Sequence, residues 1–445
     1  MLHVGNFRSQ TCAGVNRRSF LKLSAGLPLA FSATGLPRVA EAADERRAKS
    51  VILVWLWGAP SHLDLVDPKP KAPQEYRGPF CPIQTKTPGI QFTELLPQLA
   101  KRTDQFTLVR SMVSSNGGHP GAGTVGLTGY EESPGPVQPN FGAIISKAQK
   151  QPADLPPFFY VGRGIPRDLP RRIKGYGGGT LGPAHDPFLV NCTPLGEVEL
   201  PGLRLLDGLT PDRIVNRQDL LAEIDVTRRL ADRADVANWS RVYQTAYNLL
   251  TKPEAVKSFD LTQESEVTRE QYGYTKFGQS CLLARRLVEA EVPYIQVNWS
   301  EYVEAMSPGC DFGWDTHIYN FELLQDRHGP IFDRAFSALL DDLKQRGLLE
   351  TTLVLAMGEF GRTPKINKRA ARDHWPRCYF SMWAGAGIEP GRVIGESDAR
   401  GEDPVTEPIT PLMAGTTVAE LCGVTAQQRA EMQVLDGGKV IEDLV

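Results

Sequence analysis

The sequence predicts an α/β fold: a mainly parallel sheet with helices on both faces, interrupted by a helical and loop-rich insertion. Strand-sized apolar runs rich in β-branched and aromatic residues recur along the chain. Stretches of helical period separate the later ones, and strand, helix, strand is the pattern of a sheet covered on both sides. The chain has 445 residues, 41% of them hydrophobic and 23% charged, which excludes a disordered, collagen-like or coiled-coil protein. Its 42 Gly and 34 Pro point to long loops. One main domain over 43–445, with an insertion at about 134–275, is the expected organisation.

The first 42 residues read as an address. Asn16-Arg17-Arg18-Ser19-Phe20-Leu21-Lys22 opens a modestly apolar stretch, and Ala40-Glu41-Ala42 offers a small-x-small cleavage site. This is the pattern of a twin-arginine export signal, so the export machinery is an expected partner. Lys22, Pro28 and Pro37 interrupt the stretch, which is too short for a membrane span of about 20 residues. A periplasmic or secreted location without a stable membrane span is therefore expected.

The run from Ser50 to Trp57, closed by Gly58, reads as a buried central strand. Phe106 to Arg110 is a second strand, leading into the glycine-rich turn Gly117-Gly118-His119. Between Pro134 and Pro211 the density of Pro and Gly predicts ordered loops, and Pro211 to about Leu250 has the charged, helically spaced texture of a helical insertion. A helix at Gly278 to Glu289 then precedes a strand at Pro293 to Trp299. Another helix from about Tyr319 to Arg346 leads to a strand at Thr352 to Met357, and Tyr379 to Ala384 makes a last one.

Forty-nine basic against 52 acidic residues leave a net charge of -3, no field to recruit nucleic acid. Of seven cysteines, none forms a C-x-x-C pair, and a disulfide is permitted by the compartment without being demanded by the size.

Histidine is scarce, at seven in the chain, so its placement is informative. His62 and Asp64 follow the first strand, His119 sits in the turn after the second, and Asp315-Thr316-His317, Glu359 and Asp373-His374 follow later strands. Catalytic groups of such folds lie just past the carboxyl ends of strands. The set Asp64, His119, Asp315, His317, Glu359 and His374 mixes nitrogen and oxygen donors and suits a divalent cation such as Zn²⁺, Mn²⁺ or Ca²⁺. Arg362 would present a fork to an oxyanion or, equally well, form a salt bridge to Glu359. His185 and His328 lack such a context. A cation beside such an arginine favours polarisation of an ester and activation of water.

At these motifs the chain resembles the exported bacterial family known as domain of unknown function 1501, often labelled sulfatase-like. The resemblance rests on Gly58 to Pro70 (GAPSHLDLVDPKP), His119 with Leu127-Thr128-Gly129, Gly313 to His317 (GWDTH), Gly358 to Pro364 (GEFGRTP) and Asp373-His374-Trp375. It implies an alkaline-phosphatase-like fold and a metal-dependent hydrolase of sulfate or phosphate monoesters, with an anionic ester, including a sulfated or phosphorylated glycan, as substrate. It also implies that Asp64, Asp315 and His317 occupy ligand positions. Two departures stand out. Phe360 replaces the His of an Asp-His pair, and His119 falls where a Cys or Ser nucleophile is expected. His119 is then a ligand beside an activated water, an attacking nucleophile, or part of a site that binds metal without catalysis, as in a cell-envelope binding protein.

Overall fold

The structure is a computed structural model, described here for residues 47–149, 154–162, 174–200, 248–249, 252–301 and 313–445. The expected export signal, nearly all of the expected helical insertion and Cys310 lie outside these residues. Residues Arg46–Val445 pack as one compact unit.

Its centre is β1 (Ser50–Trp55), which is buried along its whole length. The alternation of a strand splits its side chains between two cores. Ile52 and Val54 pack with Leu282, Leu283 and Phe332 on one face. Val51, Leu53 and Trp55 pack with Ile144, Ala414 and Val418 on the other. A continuous apolar run is what burial on both faces requires.

Among the described residues, besides a small hairpin of β2 (Pro82–Gln84) and β3 (Gln91–Thr93) and a ladder of β10 (Gly361–Arg362) with β11 (His374–Trp375), the strands join one nine-stranded sheet. Its members are β1, β4 (Thr107–Met112), β5 (Phe158–Val161), β6 (Phe188–Cys192), β7 (Val198–Glu199), β8 (Tyr294–Asn298), β9 (Thr352–Met357), β12 (Tyr379–Ala384) and β13 (Val393–Ile394). The order is β13-β4-β12-β9-β1-β8-β5-β6-β7. Only β12 and β7 run against the rest, so the sheet is mostly parallel and mixed.

Helices cover both faces. The first, α1 (His62–Leu65), follows β1, and α2 (His119–Thr128) follows β4. Then come α3 (Phe141–Ala148), α4 (Lys276–Glu289), α5 (Gly329–Gln345) and α6 (Pro411–Leu421). Side chains of α4 and α5 fill the first core and those of α3 and α6 the second. No helix among the described residues is long and apolar enough to cross a membrane, and Cys81, Cys192, Cys281 and Cys378 form no disulfide among the described residues.

Three expectations change. The stretch from Pro134 was expected to be loops, but it holds α3 and extends the sheet through β5 to β7. Those strands are two to five residues long, too short to stand out amid Pro and Gly. The glycine-rich turn at 117–119 is also the start of a helix, since His119 opens α2. The helix expected from Tyr319 divides into Asn320–Leu323, a wide π turn at Leu324–His328, and α5. Pro330 has no N–H to return to Asp326, and Gly329 reaches back instead to Leu324 O, which widens the turn.

Candidate metal centre

β1 pairs in parallel with β8 and β9, and Trp55, Asn298 and Met357 lie in register at their carboxyl ends. The loops leaving this edge carry the site. After β1, Gly58 and Ala59 both take positive φ, +100° and +63°. Their backbone thereby serves two side chains: Gly58 N–H donates to Glu359 Oε1 at 2.9 Å, and Arg362 Nε donates to Ala59 O at 3.0 Å.

His119 is placed by a close approach between α2 and β1. A Cβ on Gly123 would stand 2.3 Å from the Trp57 ring, and one on Gly126 equally close to the Trp55 ring. Only glycine lets α2 lie this low on the tryptophans, and that depth sets its first residue over the sheet edge. On the opposite side, His328 in the π turn donates from Nε2 to Gly313 O at 3.0 Å and fixes the start of the GWDTH loop.

Asp315 is the hub. Its Oδ2 is 3.1 Å from His119 Nε2, and its Oδ1 is 2.9 Å from His317 Nε2 and 3.1 Å from His374 Nε2. His317 Nε2 and His374 Nε2 are 3.0 Å apart. Each imidazole turns its other nitrogen outward to an oxygen. His119 Nδ1 meets Glu359 Oε1 at 2.6 Å, His374 Nδ1 meets Gly117 O at 2.7 Å, and His317 Nδ1 meets Asp373 Oδ1 at 3.0 Å. Outer acceptors of this kind fix a metal-binding histidine with its proton on Nδ1 and its lone pair on Nε2.

These residues pass a test of fit to a cation. Gly117 O can only accept, so His374 Nδ1 carries the proton and its Nε2 lone pair faces the lone pairs of Asp315 Oδ1. A cation reconciles such a convergence. Ligand atoms about 2.0–2.1 Å from a tetrahedral ion stand roughly 3.3 Å from each other, close to the spacings found here. His119, Asp315 and His374 hold one ligand atom each within 4.8 Å of one another, and His317 adjoins this trio at Asp315 and His374.

Burial alone would raise the Asp315 pKa, but the three imidazoles around it, where protonated in the absence of a cation, and the charge of Arg362 hold it well below the usual carboxylate range. Burial also presses on His119, yet its bonds to Asp315 and Glu359 outweigh that and raise its pKa. In His374 burial wins, and the pKa falls. Asp315 and His119 are nearly covered, whereas the side chains of His317 and His374 are each 27% exposed. The trio therefore opens to solvent on one side.

The structure thus brings together His119, Asp315, His317 and His374, with Glu359 just outside them. Glu359 was expected as a ligand; its Oε1 is engaged by His119 and Gly58, while Oε2 is buried without a hydrogen-bond partner among the described residues. Asp64, expected in the same set, is displaced from it. Both its oxygens are taken by Arg372, at 2.7 and 2.8 Å, with both side chains fully buried. Nearby Asp67 is closed by Lys69, Arg110 and Ser397, and His62 turns to Gly401 O.

Arg362 offers no open fork to an oxyanion. It donates to Gly58 O, Ala59 O and Asp315 Oδ1, the last at 2.6 Å, and it is 1% exposed. Its ion pair is with Asp315 and not with Glu359. Sequence reasoning missed the roles of Asp373, Arg372 and the Gly117 carbonyl; only the adjacency of Asp373 to His374 hinted at the first.

No curated protein matches the chain. Among solved structures, it is similar to Ps i-CgsB in complex with k-i-k-neocarrahexaose, at 11% identity and a TM-score of 0.40 over 88% of this chain and 74% of that one. It is also similar to the PsFucS1 sulfatase from Pseudoalteromonas sp., at 12% and 0.33 over 87% and 70%. A third likeness is to the phosphonate monoester hydrolase SpPMH from Silicibacter pomeroyi, at 12% and 0.31 over 88% and 75%. Similarity this slight leaves their activities with them. The family described as "Protein of unknown function (DUF1501)" matches residues 48–445, and the chain belongs to that family.

Proposed function

We propose that this protein is a metal-dependent hydrolase of sulfate or phosphate monoesters, exported by the twin-arginine route to the periplasm or beyond. The observation that carries the reading is the inward convergence of His119, His317 and His374 Nε2 on Asp315, each ring fixed from outside by an oxygen. Three imidazoles and one carboxylate favour Zn²⁺ or Mn²⁺ over Ca²⁺, which prefers an all-oxygen shell. Bound there, such a cation supplies Lewis acidity toward an ester oxygen and a water molecule.

The chain's own residues do the rest. Asp315 contributes the negative charge that retains a cation, and Arg362 keeps it oriented. Glu359 and Asp373 hold the His119 and His317 rings. The half-buried His317 and His374 mark the side from which an ester enters. His119 is not suited to attack, because both its nitrogens meet carboxylates; an activated water is the nucleophile this arrangement favours.

The same commitment of His119 and Arg362 favours a second reading, a metal-retaining binding protein without catalysis. Turnover of aryl sulfate and aryl phosphate by metal-loaded protein, with and without chelator, separates the two. Chelator-sensitive release of phenol is expected; its absence on both esters would hand the case to the binding protein.

A further inference from the structure

Three linked surface segments meet, one of them beside the metal centre. The first, residues 363–373, joins β10 to β11 and so connects Arg362 to His374 directly. Asn367 folds it tightly: its Oδ1 accepts from Arg369 N at 2.9 Å and Ala371 N at 3.1 Å, and its Nδ2 donates to Asp373 Oδ2 at 3.1 Å. The opposite oxygen of Asp373 holds His317. Lys365, Lys368 and Arg369 are left exposed on a turn wired to a candidate ligand.

The second segment, the short helical turn Gln74–Arg77, contributes exposed Arg77. It is joined to the first by Ile366 N–H to Glu75 O at 2.8 Å and by Arg372 Nη2 to Tyr76 O at 2.9 Å. The third contributes exposed Arg400, whose guanidinium lies 5.1 Å over the Tyr76 ring. Among the described residues, no carboxylate comes within ion-pair distance of Arg77, Lys365, Lys368 or Arg400, and Arg369 has only Asp373 at 3.9 Å. Elsewhere exposed arginines find acids: Arg346 pairs with Asp342 and Glu289, Arg377 with Asp403, and Arg392 with Glu389. In a chain of net charge -3, unpaired cations gathered on linked segments, one of which holds His317 through Asp373, raise the positive potential near where an ester would approach.

We propose that these cations form a rim that docks the flanking charges of a polyanionic substrate, a polysaccharide bearing several sulfate or phosphate monoesters, one of which reaches the metal centre. The proposal rests on the hydrolase reading for the last step only. Nucleic acid fits the rim less well: its backbone phosphates are diesters, and the Tyr76 ring is already covered by Arg400.

The test uses metal-loaded full-length protein and fluorescent sulfated dextran, with unsulfated dextran as the neutral control. The triple variant Lys365→Ala, Lys368→Ala, Arg400→Ala is expected to bind at least tenfold more weakly, with a shallower dependence of affinity on salt. A control with the same change in charge, Lys252→Ala, Lys257→Ala, Lys276→Ala, is expected to bind as the parent does. Equal weakening in both triples would reduce the effect to net charge and overturn the proposal, as would tighter binding of single-stranded DNA than of sulfated dextran. Aryl ester turnover gives an independent reading. If turnover is absent while the rim variant alone loses dextran, the hydrolase falls and the docking surface stands; if turnover is present but dextran does not bind, the reverse holds.

Discussion

Asp315 and Asp64 are both buried aspartates past the carboxyl ends of central strands, and they have opposite fates. Asp64 is clasped by the Arg372 guanidinium, which fills both oxygens with donors and offers no lone pair in return. Asp315 also meets an arginine, but three imidazoles surround it, and each of those can turn a lone pair inward. A carboxylate closed by a guanidinium is a structural strut. The same carboxylate ringed by histidines can share a cation.

The sharpest way to break this contrast is to strip each hub in turn. Asp315→Ala with His317→Ala should abolish bound metal by elemental analysis and any chelator-sensitive turnover, while Asp64→Asn should leave stoichiometric metal; a double variant that keeps its metal would refute the assignment. Arg372→Met strands the Asp64 charge in the interior. It should cost about 3–5 kcal/mol in urea unfolding without changing metal content in the fraction that folds.

Acid sharpens the comparison from the Asp315 side. Burial drives the His328 pKa down to about 4, so the fold favours the neutral ring. The stability it contributes is complete above the unfolded pKa of about 6.5 and is lost as pH falls toward the folded value. At 1.36 kcal/mol per pKa unit that loss reaches about 3 kcal/mol. Urea melts between pH 7 and pH 4 should show it, and His328→Gln should flatten that limb. The smallest effect belongs to Glu359→Gln, which leaves the donors around Asp315 in place but loosens the His119 ring. Metal affinity should drop about 10–100-fold, read by competition with a chelator; an unchanged affinity would remove Glu359 from the outer support.

Much of the frame was legible in the residues. The runs at Ser50, Thr352 and Tyr379 announced strands because burial on both faces demands unbroken apolar sequence. The thinner strands β5 to β7 did not, since short buried runs amid Pro and Gly carry no periodicity. Within the site, His119, Asp315, His317 and His374 could be gathered by their positions past strand ends. The reassignment of Asp64, Glu359 and Arg362 could not, because it depends on which partner reaches each side chain first across some 300 residues of separation: Arg372 to Asp64 spans 308 positions and Gly58 to Glu359 spans 301.

Sequence alone determined which residue types stand beside the carboxyl edge of a parallel sheet, because strand pattern and loop position are local properties of the chain. Tertiary structure decided which of those polar groups face one another and which are closed off. Hydrogen bonds act at contact distance, and at Asp315 and Asp64 that distance is set by how glycine-lined α2, the left-handed Gly58-Ala59 loop and the β10–β11 ladder pack against the sheet.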